Sequence, residues 1–243
     1  MKLIESIKLK HRANKYKNKD DKAVIAYINS SIQQGQTVLY IGAHKAGYLY
    51  WMLKRVGKKG KVFAFEPQTN LYHYIEQIKA LFKWNNVIIE HIALSDSEEA
   101  VTLYIPTNKV SKGSSPGATI VEHKERTDFG ATETVNTKTL DLYCKQHGIK
   151  PDFLKIDVEG NELKIFQGSI YTLKKYKPKI LVEIEARHAG RERVLETFGF
   201  MKALGYKGYI LHGLTHIPLV EFNFDKHQNT NDKKNYCNNF IFE

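Results

Sequence analysis

Short apolar runs alternate with amphipathic helical patterns along most of this chain, and this alternation constrains the fold more than any other feature. Such runs predict buried strands, and strand–helix alternation predicts a parallel sheet with helices on both faces. Two later runs, KGYILHG and NNFIFE, predict further strands, the last of them at an edge of the sheet. The core runs are, in chain order, QTVLYIG, KVFAFEP, NVIIEHIALSD, DFLKIDVEG and PKILVEIEARH.

A segment of β character interrupts this alternation before the fourth core strand. Over about residues 96–138 the alternating runs AVTLYIP and TETVNTKTL flank a Gly/Ser/Pro-rich loop. We interpret this segment as a β insertion. No linker divides the rest, and 243 residues suit one α/β domain. We therefore predict a basic helical segment over 1–36 followed by a single domain over 37–243.

The charge of the chain is strongly positive but unevenly distributed. The net charge is +11, and residues 1–20 hold seven basic against two acidic residues, so +5 lies there and +6 elsewhere. Leu3, Ile4 and Ile7 have roughly helical spacing, so this segment could contact an acidic membrane surface weakly. A lysine-rich helix packed at the domain edge is the simpler interpretation. We expect the fold to remain intact without residues 1–20.

Composition also bears on compartment and metal content. No stretch approaches the ~18 apolar residues that a membrane span needs, and the N-terminus is too charged for a signal peptide. Cys144 and Cys237 lie far apart, which gives neither a disulfide framework nor a metal-ligand spacing. We therefore predict a reducing, cytoplasmic location and no metal site.

The first two strands end in residues that suit a nucleoside ligand, because ligands of parallel sheets bind at the carboxyl ends of strands. Gly42 permits a tight turn and a close approach, and the amides of Ala43 and His44 can donate to a polar group. His44 occupies the second glycine position of a dinucleotide loop, which disfavours a pyrophosphate. Glu66 could accept hydrogen bonds from both ribose hydroxyls, or be a solvated strand end.

The third strand completes this pattern. Asp96 follows it and could accept from an adenine amino group, or cap a turn. Gly42, Glu66 and Asp96 together suit an adenosine ligand, and this pattern offers no evident phosphate-binding group. Since S-adenosylmethionine is the common cofactor with adenosine and no phosphates, we predict it as the cofactor.

Carboxylates cluster after the fourth and fifth strands. Asp157 and Glu159 lie two residues apart, which is costly unless a cation, proton or ligand offsets their charges. Asp157 and His188 are the candidate bases, although His188 could equally be a loop histidine. Glu183 and Glu185 share one strand face by spacing, and one of them could position a substrate.

The motifs IGAHKAG, AFEP, ALSD, TLD, PDFLKIDVEGNELKIFQGS and ILVEIEARH resemble those of FkbM-type S-adenosylmethionine-dependent methyltransferases, from about residue 37 onward. The resemblance implies a Rossmann-like class I methyltransferase fold, an α/β fold with a seven-stranded, mostly parallel sheet whose last strand is antiparallel. It puts Gly42 and Ala43 beside the methionine portion, Glu66 at the ribose and Asp96 at the adenine. Asp157 and Glu159 would lie near the cofactor and acceptor.

Two positions depart from the family pattern. Tyr40 stands where the family usually has an Asp that helps to hold the amino-acid end of the cofactor, and a tyrosine supplies no full charge for an ammonium group. Ala46 stands at the later glycine, with Gly47 displaced by one. The resemblance implies O-methylation of a saccharide or related hydroxyl compound, without a nucleic-acid partner. The alternatives are a nucleic-acid methyltransferase, suggested by the charge, and a non-catalytic binding domain, suggested by Tyr40.

Overall fold

A mixed β-sheet forms the centre of the molecule, with helices packed on both of its faces. The structure, a computed structural model, describes residues 2–106, 117–121 and 129–243. Most of the Gly/Ser/Pro-rich loop that the sequence predicts within the insertion lies outside the described residues. The strands are β1 (Thr37–Ile41), β2 (Lys61–Phe65), β3 (Val87–Glu90), β4 (Ala93–Leu94), β5 (Ala100–Pro106), β6 (Phe129–Lys138), β7 (Phe153–Ile156), β8 (Lys179–Glu183), β9 (Gly208–His212), β10 (Thr215–Pro218) and β11 (Asn239–Phe242).

The main sheet has the order β10-β9-β11-β8-β7-β1-β2-β3 among the described residues. Strands β1, β2, β3, β7 and β8 pair in parallel, and β11 is antiparallel to both β8 and β9. The predicted α/β class and antiparallel last strand are confirmed. The described sheet nevertheless has eight strands instead of seven, because β10 adds an antiparallel edge beside β9.

The last strand lies inside the sheet and not at the predicted edge. All four residues of β11 are buried, as suits a strand covered on both faces. The edge position belongs to β10, whose residues are mostly exposed and end in a proline that cannot donate to a further strand.

The predicted third strand also proved to be two strands in different sheets. β3 ends at Glu90, and β4 pairs with β6 in a three-stranded sheet of order β4-β6-β5. The chain leaves the main sheet at His91, whose Nε2 lies 3.1 Å from the Pro67 carbonyl oxygen. It then follows β6, whose Lys138 carbonyl accepts from the Ser95 amide at 3.0 Å.

The stretch after β7 forms two short helices in place of one. The Asp141 carboxylate accepts from the amides of Tyr171 and Thr172 and so fixes the start of the second helix. The helices are α1 (Lys2–Lys15), α2 (Lys22–Ser31), α3 (Gly47–Val56), α4 (Thr69–Phe82), α5 (Leu140–His147), α6 (Glu162–Gln167), α7 (Ile170–Tyr176), α8 (Ala186–Ala189), α9 (Arg191–Ala203) and α10 (Phe224–His227).

Two apolar cores cover the faces of the main sheet. One packs α1 to α4 against one face, and the other packs α5, α6, α7 and α9 against the opposite face. A smaller cluster stabilises the three-stranded sheet. Among the described helices none is long and apolar enough to cross a membrane.

The N-terminal segment is part of the first core. A π-helical turn, Tyr16–Asp20, joins α1 to α2. Leu9 and Ala13 are fully buried, and the Trp51 indole donates to the Ala13 carbonyl at 2.9 Å. Burial of Leu9 alone is worth about 2 kcal/mol. The packing therefore favours a contribution of residues 1–20 to the stability of the fold, against the sequence-based expectation. Ile4 and Ile7 remain exposed on α1.

Candidate active site

A cavity of about 420 Å³ opens at the carboxyl ends of β1, β2, β7 and β8. This position follows from the parallel arrangement, which brings these strand ends to one edge of the sheet. Residues from the N-terminal segment and the three-stranded sheet close its sides. Its lining includes these predicted site residues: Tyr40, Gly42, Ala43, His44, Glu66, Asp157 and Glu159.

The glycine of the first loop is required by a close approach of two strands. Gly42 has φ +84°, and a Cβ there would overlap the Asp157 carbonyl oxygen and lie 2.9 Å from its carbon. The amides of Gly42 and Ala43 both donate to the Phe65 carbonyl at 3.0 Å. The loop is therefore fixed between β2 and β7, and its backbone forms one wall of the cavity.

The rest of this loop carries backbone strain. His44 has φ 47° and Ala46 has φ 61°, both in the left-handed region that residues with a Cβ rarely adopt. Burial is the main cause that lowers the pKa of His44 to about 4, so the imidazole is neutral. Its Nε2 is buried without a hydrogen-bond partner among the described residues. Strain and an unpaired buried nitrogen in one loop are typical of a ligand site.

We expect Ala46→Gly to raise the free energy of unfolding by about 0.5–1 kcal/mol, because it removes a left-handed Cβ. Chemical denaturation measures the change. Ala43→Gly is the control, since Ala43 is equally buried in the same loop and its φ is not positive. It should lower stability, and an equal loss from Ala46→Gly would contradict the assignment of strain.

Glu66 lies at the end of β2 and is almost completely buried, with 2% of its surface exposed. Its Oε2 accepts from the His44 amide at 2.6 Å, and its Oε1 accepts from the Gln68 amide at 2.9 Å. Burial raises its pKa to about 7, against the effect of these two amides. The alternative of a solvated strand end is thus excluded, and each oxygen keeps a lone pair for a ligand.

Asp96 lies away from the cavity. Its Oδ1 accepts from the Ser95 hydroxyl at 3.1 Å and lies 3.8 Å from the Lys164 ammonium group. It does not line the cavity, because the chain leaves the main sheet at His91 and reaches Asp96 through β4. The structure does not support the predicted adenine contact, and the alternative of a turn residue fits better.

Asp157 lies at the end of β7 beside a buried cation. Lys155 is completely buried, and its Nζ lies 3.4 Å from Asp157 Oδ2 and 3.2 Å from the Ile156 carbonyl. Burial raises the pKa of Asp157, and the charge of Lys155 acts against this shift. The charge of Lys155 explains how the carboxylates of Asp157 and Glu159 can lie close together. Asp157 also combines a raised pKa with access to the cavity.

The other two predicted catalytic residues form a pair. His188 Nε2 lies 2.8 Å from Glu159 Oε2. Glu159 lines the cavity, whereas His188 lies behind it on α8 and does not. The His188 Nε2 nevertheless makes no hydrogen bond of good geometry among the described residues. His188 is therefore close to Glu159 but is not placed to reach an acceptor itself.

Glu183 and Glu185 have different surroundings despite their spacing. Glu183 lines the cavity, and burial raises its pKa well above the ordinary value. Burial would also raise the pKa of Glu185, but hydrogen bonds from Tyr236, Asn238 and Arg187 lower it instead. Asn238 also donates to the Glu183 Oε1 at 2.7 Å, so both carboxylates have a partner. Of the two, only Glu183 is part of the described cavity lining.

Sequence reasoning missed two parts of the cavity. Ile92, Leu94 and Ile120 give it an apolar wall, and Tyr16 reaches it from the N-terminal segment. The apolar wall comes from the turn after β3, from β4 and from the insertion, and local sequence patterns did not indicate that these segments reach the site. One overlooked signal was Gly47, whose missing side chain makes room for Tyr16.

The residues present fit S-adenosylmethionine. The cavity has the size of a small-molecule site. Glu66 would hold the ribose hydroxyls, the apolar wall suits the adenine ring, and the Gly42 backbone leaves no obstacle beside it. Among the described residues, no group of three or more His, Cys, Asp or Glu could hold a metal ion.

Comparison with known families decides the assignment. The model of the FkbM methyltransferase domain matches residues 41–210, which is more than half of the chain. The chain belongs to the FkbM methyltransferase family. This FkbM protein is accordingly a member of an S-adenosylmethionine-dependent methyltransferase family, as its motifs predicted. No curated protein matches its sequence.

Solved structures support the same fold. An FkbM methyltransferase from Methylobacillus flagellatus is similar, with a TM-score of 0.55 and 13% identity over 97% of this chain. The chain spans 58% of the length of that protein. Fibrillarin from Aeropyrum pernix, solved with natively bound S-adenosyl-L-methionine, has a TM-score of 0.51 at 9% identity, covering 91% of this chain and 73% of its own. At these identities the similarity establishes the fold alone.

Proposed function

We propose that this FkbM methyltransferase methylates a hydroxyl oxygen of a saccharide or related small molecule, with Asp157 as the general base. The observation that carries the proposal is the position of Asp157, a carboxylate with a raised pKa in the same cavity as Glu66. A proton acceptor is needed for a hydroxyl, because an alcohol becomes a competent nucleophile only as its proton leaves.

In the proposed reaction, the position of each residue in the cavity would determine its role. When bound, S-adenosylmethionine supplies an electrophilic methyl group on a sulfonium. Glu66 would fix the ribose, and the loop after β1 would fix the rest of the cofactor. Asp157 would take the proton of the acceptor hydroxyl as the new carbon–oxygen bond forms, and Lys155 would stabilise the carboxylate before that transfer.

The acceptor end of the cavity is polar. Glu183, Glu159 and Arg187 line it together with Thr119, whose hydroxyl donates to the Glu159 carbonyl at 2.9 Å. Carboxylates and a guanidinium group can together bind the many hydroxyls of a sugar. This favours a neutral polyhydroxylated acceptor over an apolar one.

We expect Asp157→Asn to lower turnover by about 10²–10⁴-fold on a true acceptor, because asparagine keeps the shape but takes no proton. Formation of S-adenosylhomocysteine would be followed with panels of saccharides, hydroxylated small molecules and RNA. The wild-type rate should fall as the pH drops through the raised pKa of Asp157, and the variant should lack this limb.

Asp225→Asn is the matched control, since Asp225 is exposed and, among the described residues, its carboxylate pairs with Arg191 alone. Calorimetry with S-adenosylhomocysteine should give equal affinities for both variants and the wild type. Full turnover by Asp157→Asn would exclude the proposed base. Methylation of RNA and of no hydroxyl compound would instead favour a nucleic-acid methyltransferase.

A further inference from the structure

The N-terminal segment makes direct contacts with the loop that follows β1. We call α1 and the π-helical turn, Lys2–Asp20, the N-terminal strap. The Arg12 guanidinium donates to the Lys45 carbonyl at 2.9 Å and to the Tyr74 hydroxyl at 3.2 Å. Ala13 accepts from Trp51 of α3. The strap therefore contacts both the loop after β1 and α3, the helix that begins where this loop ends.

Tyr16 extends from the strap into the cavity lining. Its ring lies over the start of α3, with the centroid 5.1 Å from that of Tyr48. A Cβ at position 47 would overlap Tyr16 Cε2 and lie 2.7 Å from Cδ2. Gly47 thus leaves the space that the Tyr16 ring fills.

The strap also ends among the charged groups of the cavity. Burial raises the pKa of Asp21, the residue that follows the strap, while a hydrogen bond with Tyr48 and the charge of Lys155 act against this shift. Asp157 is a further charged neighbour of both Tyr16 and Asp21. The strap and the end of β7 therefore share one electrostatic environment.

The loop after β1 is strained, and contacts fix it from two sides. Glu66 accepts from the His44 amide, and Arg12 donates to the adjacent Lys45 carbonyl. His44 and Ala46, at either side of Lys45, have positive φ angles. A strained conformation persists only where surrounding contacts fix it, so a strap that fixes the loop also fixes the wall of the cavity.

We propose that the N-terminal strap is part of the cofactor site, with Tyr16 closing the cavity beside Gly47, and that ligand binding and strap packing stabilise each other. This inference rests on the proposed use of the cavity for S-adenosylmethionine. Coupling between two binding events is reciprocal, so a strap that tightens the ligand must itself be held more firmly when the ligand is bound. Tyr16 is a positioning residue in this scheme and takes no part in proton transfer.

Hydrogen exchange of the full chain tests the coupling without any substitution. Saturating S-adenosylhomocysteine should slow amide exchange in residues 2–20 by at least about tenfold, because the bound ligand makes local opening of the strap rarer. Exchange in β10, which lies at the far edge of the sheet, should not change. Equal strap exchange with and without a ligand that binds would overturn the proposal.

Substitutions at the contact give a second test. Tyr16→Ala should weaken S-adenosylhomocysteine binding by about tenfold in calorimetry, whereas Tyr16→Phe, which keeps the ring, should bind like the wild type. Gly47→Ala should also weaken binding, because its Cβ displaces the ring. In the Tyr16→Ala background the same change should cost little more, since the overlap is gone. Tyr171→Ala, at an exposed tyrosine of α7, is the control.

The outcomes separate this inference from the proposed function. Unchanged affinity in Tyr16→Ala, together with additive effects in the double variant, would overturn the role of the strap and leave O-methylation intact. Coupled binding without methylation of any hydroxyl would support the strap and refute the proposed reaction. Failure of the wild type to bind S-adenosylhomocysteine would refute both.

Discussion

Replacing Glu66 with alanine should weaken the binding of S-adenosylmethionine by about 10- to 150-fold, which corresponds to about 1.5–3 kcal/mol. The ribose would lose a charged acceptor, and the amides of His44 and Gln68 would lose their shared partner. Isothermal calorimetry with the cofactor measures the change directly. Glu76→Ala is the control, because the carboxylate of Glu76 forms a local pair with Lys79 on α4 and no other ion pair within the part of the chain that the structure describes.

The same carboxylate should make cofactor affinity depend on pH. The pKa of Glu66 is raised to about 7 from its ordinary 4.5, so its contribution to folding is fully present below about 4.5 and is lost as the pH rises through about 7. Ribose hydroxyls donate to the charged form, so binding favours deprotonation. Affinity should therefore rise from pH 5 to about 7 and then level off.

Glu66→Gln separates the charge from the shape of the side chain. The glutamine oxygen can accept from one of the two backbone amides, but its NH₂ group would face the other donor. Affinity should be low and nearly constant between pH 5 and 8. His44 does not titrate in this range, since its pKa is about 4. Wild-type affinity that does not change with pH, or a Glu66→Ala variant that binds normally, would remove Glu66 from the ribose site.

The positions of Gly42 and Glu66 were predictable because the carboxyl ends of adjacent parallel strands meet at one edge. Both residues directly follow strands that the apolar runs define well, and β1 pairs with β2 in register. The predicted adenine contact of Asp96 is not supported, and the reason is physical. Hydrophobic periodicity identifies a β segment but does not say which sheet it joins, and β4 pairs with β6 instead of continuing β3.

Contacts between segments that are far apart in the sequence could not be predicted from local sequence patterns. Tyr16 is one aromatic residue in a lysine-rich helix, and its neighbour Gly47 lies some thirty positions away in the sequence. The interior place of β11 was equally hidden, because a four-residue apolar strand suits an edge or an inner position until its partners β8 and β9 are known. Lys155 was visible as a charge within an apolar strand, yet only its burial beside Asp157 gives it a role.

Gly42→Ala should lower the free energy of unfolding by about 2–5 kcal/mol, a large part of the stability of an ordinary domain. Two costs add here. A left-handed φ costs a residue with a Cβ about 1–2 kcal/mol, and overlap with a fixed backbone costs about 1–3 kcal/mol more. The overlapping atom is the Asp157 carbonyl oxygen, a backbone atom, so the backbone after β7 must shift to admit a Cβ. The Asp157 amide, which donates to the Ile41 carbonyl at 3.0 Å, resists a shift of that residue away from β1.

Gly148→Ala separates these two costs. Gly148 also has a positive φ, +63°, but a Cβ there would meet nothing within 4 Å. Urea denaturation should give a loss of about 1–2 kcal/mol for this variant, from the backbone alone. The excess at Gly42 measures the close approach of β1 and β7. Equal losses at the two glycines would mean that the strands can separate to admit a side chain. The loop would then lack the rigid backing that holds the cofactor wall beside Asp157.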